Sequence, residues 1–398
     1  MPRHTTSATS ADIEYNASML ALGEAVRAGS SISAGQASDW VANVTGTGTV
    51  TPGLDTEVGD FVTFAATNPS SAYRAGRAFN KVLGAGRSIS FKIRRNNAAT
   101  TVMDLYSSLG SAGVTNVSRW NKSVSALTVG KWYWYSVSLG EQTDGGTIPN
   151  RIDLRDMTVQ VTGDANGGGS ISIGDIRLHQ DKARAKAVIF FDDGRKDTYS
   201  TAYPIMNAKG FPGSVAVEHT AIGNSDRVTL TELRDLYSKG WDVCGHHTAQ
   251  MTTLSSTAQE DVHKASKALM ESNGFIRGSR IWVWPGGARN DSTEAIAKKY
   301  WQTMRRVSSF ISTGHAHVYD PIDPPVYYVT KTSVLANVQA AIDRNDGAGA
   351  TIVLVFHSIV PVTSANEDVS TSDFQAIVDH LATKSNTDVV PASRVWTH

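Results

Sequence analysis

The sequence predicts two domains, an all-β sandwich with jelly-roll-like connections followed by a distorted (β/α)7 barrel. Residues 30–180 are rich in Gly, Ser, Thr, Asn and Val, and their short alternating runs are typical of half-buried antiparallel strands. After residue 186, strand-like and helical patterns alternate, which indicates a parallel sheet. Residues 187–191 are apolar at every position, and residues 351–356 are apolar after Thr351, as in strands that helices cover on both faces.

The chain before and between these domains is short. Residues 1–29 are predicted to be a polar tail and then one amphipathic helix, which begins near residue 10. Residues 181–186 are charged and contain alanine, so we interpret them as the linker between the sandwich and the barrel. The barrel domain then occupies residues 187–398.

The sandwich is expected to contain at least five strands and to resemble a carbohydrate-binding domain. Its last strand is similar to the closing strand of jelly-roll carbohydrate-binding modules. Trp120, Trp132 and Trp134 could stack on sugar rings, whereas core packing is the more common role for such side chains. The strands are expected at residues 58–64, 88–93, 132–139, 157–161 and 170–178.

Seven strands alternate with helices in the predicted barrel. The pair Thr229 and Glu232 forms a capping box that opens one of the helices. The strands are expected at residues 187–191, 213–217, 241–244, 281–284, 302–307, 351–356 and 389–390. The helices are expected at residues 198–209, 229–240, 257–272, from 291 onward, 333–343 and 371–383.

The composition excludes several classes of partner. Lysine and arginine number 37, as do aspartate and glutamate, so the net charge is zero and we expect no nucleic-acid partner. The one cysteine, Cys244, cannot form an intramolecular disulfide. No apolar run reaches the length of a membrane span, and the first 30 residues lack the pattern of a secretory signal. We therefore expect synthesis in a cytoplasm.

Asp192 and Asp193 directly follow the first fully apolar strand, and Gly194 then allows the chain to turn. Active sites of α/β folds are built at this carboxyl edge of the strands. Two adjacent carboxylates suit a division of labour in which one holds a divalent cation and the other accepts a proton. Asp-Asp-Gly is also common in ordinary loops, so the pair alone does not decide between an active site and a turn.

Further candidate site residues lie at the ends of three other strands of the predicted barrel. His246 and His247 follow the third strand, the run Trp282-Val-Trp284 ends the fourth, and His357 follows the sixth. Imidazole and carboxylate ligands suit Zn²⁺ or another late first-row ion such as Co²⁺ or Ni²⁺. A single histidine is more often structural, but several at successive strand ends favour an active site.

Residues 186–398 resemble the polysaccharide deacetylases of carbohydrate esterase family 4, the NodB-homology group. Phe-Asp-Asp-Gly at residues 191–194 is similar to the first motif of that family, and the later motifs keep their order along the chain. The resemblance implies that Asp192 is the general base, Asp193 a metal ligand, and His357 of the Val-Phe-His motif the general acid. It also implies a divalent metal cofactor, with zinc as the first choice.

The second motif, His-(Ser/Thr)-x-x-His, departs from the family pattern. Either His246 or His247 can stand for its first histidine, and the second then falls on Gln250 or on Met251. Both replacements are poor ligands for a hydrolytic zinc ion. The site therefore binds metal weakly, takes a water in that place, or recruits another residue, for which His219 is a candidate.

The third motif is altered as well. Its arginine, which in the family holds the catalytic aspartate, falls on Val283, and Arg289 is our candidate for that orienting role. The turn that begins at Pro285 keeps the place of the motif. We expect Trp284, Pro285 and Trp282 to form the substrate side of the site, with one indole packed on a sugar ring and the other directed into the barrel.

The implied roles predict metal-assisted hydrolysis of N- or O-acetyl groups on a polysaccharide, such as a bacterial capsule or cell-surface glycan. The alternative is a non-catalytic glycan-binding or structural protein that keeps a degenerate deacetylase barrel. The polar sandwich and the leading helix also suit a phage tail protein, which we would expect to be a homotrimer. Such a protein would be virion-associated or extracellular; otherwise we expect a cytoplasmic or non-classically exported enzyme.

Overall fold

The structure is a computed structural model. The tail and helix predicted for residues 1–29 lie outside the residues it describes, as do linker residues 181–183. Within the described ranges, no helix combines the length and the apolar character needed to cross a bilayer. The described residues are 30–42, 46–78, 88–108, 117–125, 127–138, 143–145, 156–179, 184–307, 313–314, 324, 326–348 and 350–396.

In its described residues, the N-terminal domain forms two six-stranded antiparallel sheets. In spatial order, the first sheet contains β3 (Gly48–Asp55), β4 (Gly59–Ala66), β12 (Ser170–His179), β6 (Ser88–Arg95) and β9 (Trp132–Ser138), with β1 (Ser30–Ile32) beside β12. The second sheet contains β10 (Thr143–Gly145), β8 (Val117–Ser123), β7 (Val102–Ser108), β11 (Asp156–Thr162), β5 (Ala72–Ala78) and β2 (Val41–Ala42).

Alternate side chains of both sheets point into one shared core. Phe64 and Phe91 of the first sheet and Leu105 and Val159 of the second belong to the same buried cluster. Two antiparallel sheets around one core are the arrangement of a β-sandwich. The jelly-roll connection of its strands stays a prediction.

The C-terminal domain is built on a sheet with nine strands in the part of the chain that the structure describes. Its main strands are parallel, as predicted, and β18 is antiparallel to its neighbour. In spatial order it contains β17 (Thr303–Arg305), β16 (Ile281–Val283), β15 (Asp242–His246), β14 (Ser214–Glu218), β13 (Ala185–Phe191), β20 (Thr351–Phe356) and β18 (Thr313–Gly314), with β19 (Tyr327–Tyr328) beside β20 and β23 (Thr387–Val389) beside β13. A separate pair is formed by β21 (Ser358–Val360) and β22 (Asp368–Ser370).

Helices follow most of these strands in the order that the sequence predicts. The second helix begins after Thr229, whose hydroxyl accepts from the backbone of Glu232 while the Glu232 carboxylate accepts from Thr229, as expected of a capping box. The helices are α1 (Tyr203–Asn207), α2 (Leu230–Ser238), α3 (Ser256–Ser272), α4 (Asp291–Ala297), α5 (Leu335–Ala348), α6 (Thr371–Ala382) and α7 (Ser393–Trp396).

Strand β13 lies in the middle of the sheet, between β14 and β20. Among the described residues, the terminal strands β17 and β18 do not pair with each other, so the sheet forms a half-barrel. This arrangement fits the distorted barrel that the sequence predicts. Because the parallel strands share one direction, their carboxyl ends meet at one edge of the sheet.

The two domains meet near the start of β9. The ammonium of Lys131, which precedes that strand, lies 3.4 Å from a carboxylate oxygen of Glu294 and 3.5 Å from one of Asp291, both on α4. Arg289 contacts the other oxygen of Glu294. The Glu294 side chain is only 4% exposed, so water screens these contacts less than it would screen a surface ion pair. They hold the β8–β9 loop of the sandwich against the barrel.

Gly245 provides a test of how the barrel core is packed. A Cβ atom at this position would lie 2.4 Å from the Trp301 indole and 2.8 Å from the Trp282 indole. We therefore expect Gly245→Ala to lower the free energy of unfolding by about 1–3 kcal/mol, measured by urea denaturation. Trp301→Phe removes the six-membered indole ring that the new methyl would meet, so the cost of Gly245→Ala should be smaller in that background. Equal costs in the two backgrounds would show that Gly245 is not limited by this packing.

Candidate active site

The first candidate residues lie directly after the central strand. Asp192 is 1% exposed, and its backbone N–H donates to the carbonyl oxygen of Phe356 at 2.9 Å, which continues the ladder between β13 and β20. Asp193 and Gly194 then adopt φ values of +65° and +59°. Aspartate and glycine are among the residues that tolerate this left-handed region best. The two carboxylates are therefore placed by a tight turn at the carboxyl edge of the sheet.

Asp192 forms a buried two-point ion pair with Arg305, the last residue of β17. Arg305 Nη1 lies 3.1 Å from Asp192 Oδ2, and Nη2 contacts Oδ1. The Arg305 side chain is 0% exposed, and its guanidinium lies 4.1 Å from the centroid of the Phe190 ring. A guanidinium can hold a carboxylate at both oxygens, which fixes its orientation as well as its charge.

Arg305 corrects the sequence analysis, which assigned this role to Arg289. Arg289 instead contacts Glu294 at the start of α4. Val283, where the family arginine would stand, is buried within β16 and offers its backbone carbonyl to His246. The signal that we missed is an arginine within a strand predicted to be buried, because a buried charge needs a partner of opposite charge.

His246 is the histidine that faces the paired aspartates. Its Nε2 lies 3.1 Å from Asp193 Oδ1, and its Nδ1 lies 2.9 Å from the carbonyl oxygen of Val283. His247 points elsewhere: its Nδ1 lies 3.0 Å from Glu218 Oε1, without the alignment of a hydrogen bond, and its ring is parallel to that of His219. Of the two histidines, His246 is thus the one that contacts the aspartate pair.

With His246 as the first histidine, Gln250 takes the place of the second. The Gln250 side chain is exposed and lies against Gly286, with Nε2 2.7 Å from where a Cβ of that glycine would stand. Met251, the alternative, is fully buried in the barrel core and is excluded as a ligand. His219, the candidate substitute, contacts Ser266 and the His247 ring, so it is directed away from Asp193.

The contact between Asp193 and His246 tests whether a metal ion fits. The Val283 carbonyl can only accept, so His246 Nδ1 carries a proton, and neutral His246 presents a lone pair on Nε2 to a carboxylate oxygen. Two acceptors at 3.1 Å require a proton or a cation between them. The pair therefore fits a divalent ion with two protein ligands. Among the described residues, no group of three His, Cys, Asp or Glu side chains converges to hold one.

The charges around Asp193 favour its ionised form. Burial raises the pKa of Asp193, but the hydrogen bond and charge of His246, together with His357 and Arg195, outweigh burial and hold that pKa well below its usual range. Burial lowers the pKa of His246, but Asp193 and Asp192 reverse this effect and raise it overall. Arg195 reaches Asp193 Oδ2 at 3.1 Å, on the oxygen that His246 does not contact.

His357 completes the group. It follows β20 directly, and its Nε2 lies 3.8 Å from Asp192 Oδ2. The Tyr328 ring packs beside it, with ring centroids 5.2 Å apart. The side chain of His357 is 15% exposed, so it borders solvent while Asp192 beside it is buried. This position, at the edge of the buried pair, suits a residue that exchanges a proton with a bound molecule.

The predicted substrate side of the site is not open in this structure. Trp282 and Trp284 are 0% and 1% exposed and lie in the same core cluster of the barrel, and Pro285 is buried as well. The expectation that the two indoles point in opposite directions was wrong, because residues two apart on a strand face the same side. Neither indole offers a free face to a sugar here.

Comparison with known proteins agrees with this geometry. Residues 179–304 match the family model described as polysaccharide deacetylase. The chain contains a polysaccharide deacetylase domain. The chain is 27% identical over 128 residues to YxkH of Bacillus subtilis. The aligned region covers 31% of this chain and 46% of that protein. The chain is also 26% identical over 126 residues to the poly-β-1,6-N-acetyl-D-glucosamine N-deacetylase of Staphylococcus aureus, covering 28% and 43% respectively.

Among solved structures, the family 4 carbohydrate esterase from Streptomyces lividans in complex with acetate is similar to this chain. That comparison has a TM-score of 0.35 and 15% identity, and it covers 52% of this chain and 99% of the esterase. The chain spans less than half the length of the two curated relatives that it matches. The matched residues of the deacetylase domain include Asp192, Asp193 and His246 but end before Arg305 and His357.

The buried ion pair of the deacetylase domain can be tested by its contribution to stability. Arg305→Met leaves Asp192 buried without its cation, so we expect the free energy of unfolding at pH 7 to fall by about 3–5 kcal/mol. The double variant Asp192→Asn/Arg305→Met removes both charges, and it should lose less than the sum of the two single variants. Strict additivity in urea denaturation would contradict the pairing of these two side chains.

A second test uses Asp197, on the same loop of the deacetylase domain. Burial raises the pKa of Asp197 to about 6, against the lowering effects of the Ile359 backbone N–H, Arg195 and Arg227, and Asp368 raises it further. The unfolded pKa is about 3.9. The stabilising contribution of Asp197 is therefore complete below pH 4 and is lost as the pH rises through 6.

We expect Asp197→Asn to remove this loss. From pH 4.5 to pH 7, the variant should become more stable relative to the parent protein. Urea denaturation at several pH values measures the free energy of unfolding of both proteins. Parallel curves over that range would show that the Asp197 carboxyl has an ordinary pKa in the folded protein.

Proposed function

We propose that this chain is a metal-dependent carbohydrate deacetylase that removes N- or O-acetyl groups from a polysaccharide. The observation that carries the proposal is the meeting of Asp192, Asp193, His246 and His357 at one edge of the sheet, from the ends of three strands. Clustered acid–base groups, of which Asp193 and His246 have shifted pKa values, are more typical of active sites than of structural sheet edges. The family match of residues 179–304 supports the same class of reaction.

Asp193 Oδ1 and His246 Nε2 are the atoms that would hold the metal ion. We propose Zn²⁺, with Co²⁺ or Ni²⁺ as alternatives, because these ions accept mixed carboxylate and imidazole ligands. A bound ion would polarise an acetyl carbonyl group and lower the pKa of a bound water. Gln250 adds at most a weak amide ligand, which leaves room for water and substrate oxygens. Binding would release the proton that Nε2 of His246 otherwise shares with Asp193.

Asp192 and His357 supply the proton transfers. Asp192 takes a proton from the attacking water while the water oxygen bonds to the acetyl carbon and the carbonyl electrons move to the carbonyl oxygen. Arg305 holds the Asp192 carboxylate in place during this step. Protonated His357 then donates its proton to the departing amine nitrogen or alcohol oxygen as the bond from the acetyl carbon breaks. The products are acetate and a free amine or hydroxyl group on the sugar.

The substrate class that we propose is a bacterial capsule or cell-surface polysaccharide. One matched relative is, by its name, an N-deacetylase of a β-1,6-linked N-acetylglucosamine polymer, so that polymer is the first substrate to try. We also propose a phage-tail origin and a homotrimeric state on the basis of the sequence. Analytical ultracentrifugation of the full chain tests the trimer, and a monomer at micromolar concentration would count against the tail assignment.

We expect the purified chain to release acetate from acetylated polysaccharide, and to stop when a chelator removes the metal. Asp192→Asn should lower kcat by at least about 100-fold because the water then lacks its base. Val41→Ala, at a side chain that is 70% exposed on β2 of the sandwich, is the matched control and should keep the parental rate. Acetate release that survives both the chelator and Asp192→Asn would refute the proposed mechanism.

Gln250 offers a gain-of-function test that does not depend on turnover. Gln250→His restores the ligand type of the family motif, so we expect the Kd for Zn²⁺ to fall by about 10-fold or more. Competition with a chromophoric chelator measures this Kd directly. Thr248→His adds the same side chain two residues away and should leave the Kd unchanged. An equal effect of the two substitutions would show that Gln250 does not occupy a ligand position.

The second candidate function is a non-catalytic glycan-binding scaffold. The departure at Gln250 favours it, since a hydrolytic metal site with two protein ligands has fewer ligands than usual. The retained contacts of Asp192 with Arg305 and of Asp193 with His246 favour the enzyme. A folded protein that binds neither Zn²⁺, Co²⁺ nor Ni²⁺ and releases no acetate would move the assignment to the scaffold.

A further inference from the structure

The first sheet of the sandwich carries large aromatic side chains on the side that faces away from its core. Val62, Ile93, Tyr133 and Ile173 point into the core, so their neighbours along each strand point outward. The strand register aligns these neighbours in two rows. One row contains Gly53, Phe61, Gly174, Lys92 and Trp134, and the next contains Thr51, Thr63, Ser172, Arg94 and Trp132. We call these two rows the outer face.

Arg94 and two aromatic rings form the centre of the outer face. The Arg94 guanidinium lies 4.5 Å from the centroid of the Trp132 ring and 4.9 Å from that of Phe61. Asp55 accepts hydrogen bonds from Trp132 Nε1 at 3.2 Å and from Arg94 Nη1 at 3.3 Å. Phe61 also lies over Gly53, where a Cβ atom would be 2.3 Å from the ring. The rings are therefore held in fixed orientations. Trp132 is only 8% exposed, so Phe61 and Trp134, which are both half-buried, are the rings that the outer face presents to solvent.

A network of hydrogen bonds supports the rings of the outer face, with the buried Ser172 at its centre. Arg94 Nε donates to Asn96 Oδ1 at 3.1 Å, and Asn96 Nδ2 donates to the hydroxyls of Ser172 and Ser170 at 3.0 and 3.1 Å. The Ser172 hydroxyl is 2.7 Å from that of Thr63. Planar amide and guanidinium groups beside aromatic rings match a ligand whose ring has an apolar face and hydroxyls at its edge.

The charges of the outer face balance. Arg94 is paired with Asp55, and the Lys92 ammonium is 2.7 Å from Glu57 and 5.5 Å from the centroid of the Trp134 ring. Two cations with two carboxylates create no net field that would attract nucleic acid or another polyanion. Phe61 and Trp134 stand in one row three strands apart, which is about 14 Å at the usual strand spacing. That span suits a chain of sugars better than a single one.

We propose that the outer face binds a neutral oligosaccharide segment of a polysaccharide, separately from the catalytic edge of the barrel. Its position supports this assignment, because Trp132 directly follows Lys131, which contacts Asp291 and Glu294 on α4. Helix α4 comes just after the turn at residues 285–287 of the deacetylase domain. A polymer held on the outer face is therefore bound by the part of the sandwich that is anchored to the barrel. The choice of glycan rests on the proposed function.

The experiment is native affinity electrophoresis of the full chain in gels that contain either a soluble N-acetylglucosamine polymer or acetylated xylan. We expect retardation by at least one of the two, and we expect Trp134→Ala to weaken the affinity about 10-fold or more. Trp134→Phe keeps an aromatic ring and should retain part of the affinity. Val41→Ala, at a side chain that is 70% exposed on the second sheet, is the matched control and should bind like the parent protein. Thermal unfolding of each variant checks that it is folded.

Three outcomes would overturn the proposal: no retardation by either polymer, equal retardation of the parent protein and Trp134→Ala, or binding only to heparin with strong salt dependence. Binding should also be the same in Asp192→Asn as in the parent protein, because the outer face is separate from the catalytic edge. If the parent protein releases no acetate but shows Trp134-dependent binding, the proposed enzymatic function is refuted and the binding face stands. If it releases acetate but binds neither polymer, the binding face is refuted and the proposed enzymatic function stands.

Discussion

The buried pair of Asp192 and Arg305 is the interaction on which the site depends. A carboxylate that is 1% exposed is costly to keep ionised unless a cation compensates it, and Arg305 does so from a strand at the far end of the sheet order. The pair therefore couples β13 to β17 through the interior of the half-barrel. It fixes the carboxylate that the proposed reaction needs as a base, and it links that function to the correct assembly of the sheet.

The sequence predicted the barrel better than its site. Residues 187–191 and 352–356 are apolar at every position, which identifies the two neighbouring central strands without any knowledge of the tertiary structure. The capping box at Thr229 located a helix to within a residue. The meeting of Asp192, Asp193 and His357 could be predicted as well, because polar residues that come after such strands must meet at one edge of a parallel sheet.

The remaining parts of the site depend on contacts that no local pattern contains. The choice between His246 and His247 depends on which of the two side chains points toward Asp193 at the end of β15. Successive side chains of a strand point to opposite faces, so a shift of one residue reverses that direction. Arg305 is distant in the sequence from its partner, and only the sheet order brings the two together. The burial of Trp282 and Trp284 likewise follows from packing across the core.

The electrostatics around Asp193 explain why the altered second motif still forms an ordered site. His246 engages one oxygen of Asp193 and Arg195 engages the other, so the carboxylate is satisfied even where the family pattern would supply a further histidine. The Arg195 cation lies close to the position that a divalent ion would take, and like charges at short range repel. With Gln250 in place of a histidine, a bound ion would have one imidazole ligand fewer than the family motif supplies. Both effects would weaken metal affinity in the same direction, so we interpret the Arg195 cation and the Gln250 amide as acting together on the strength of the proposed metal site.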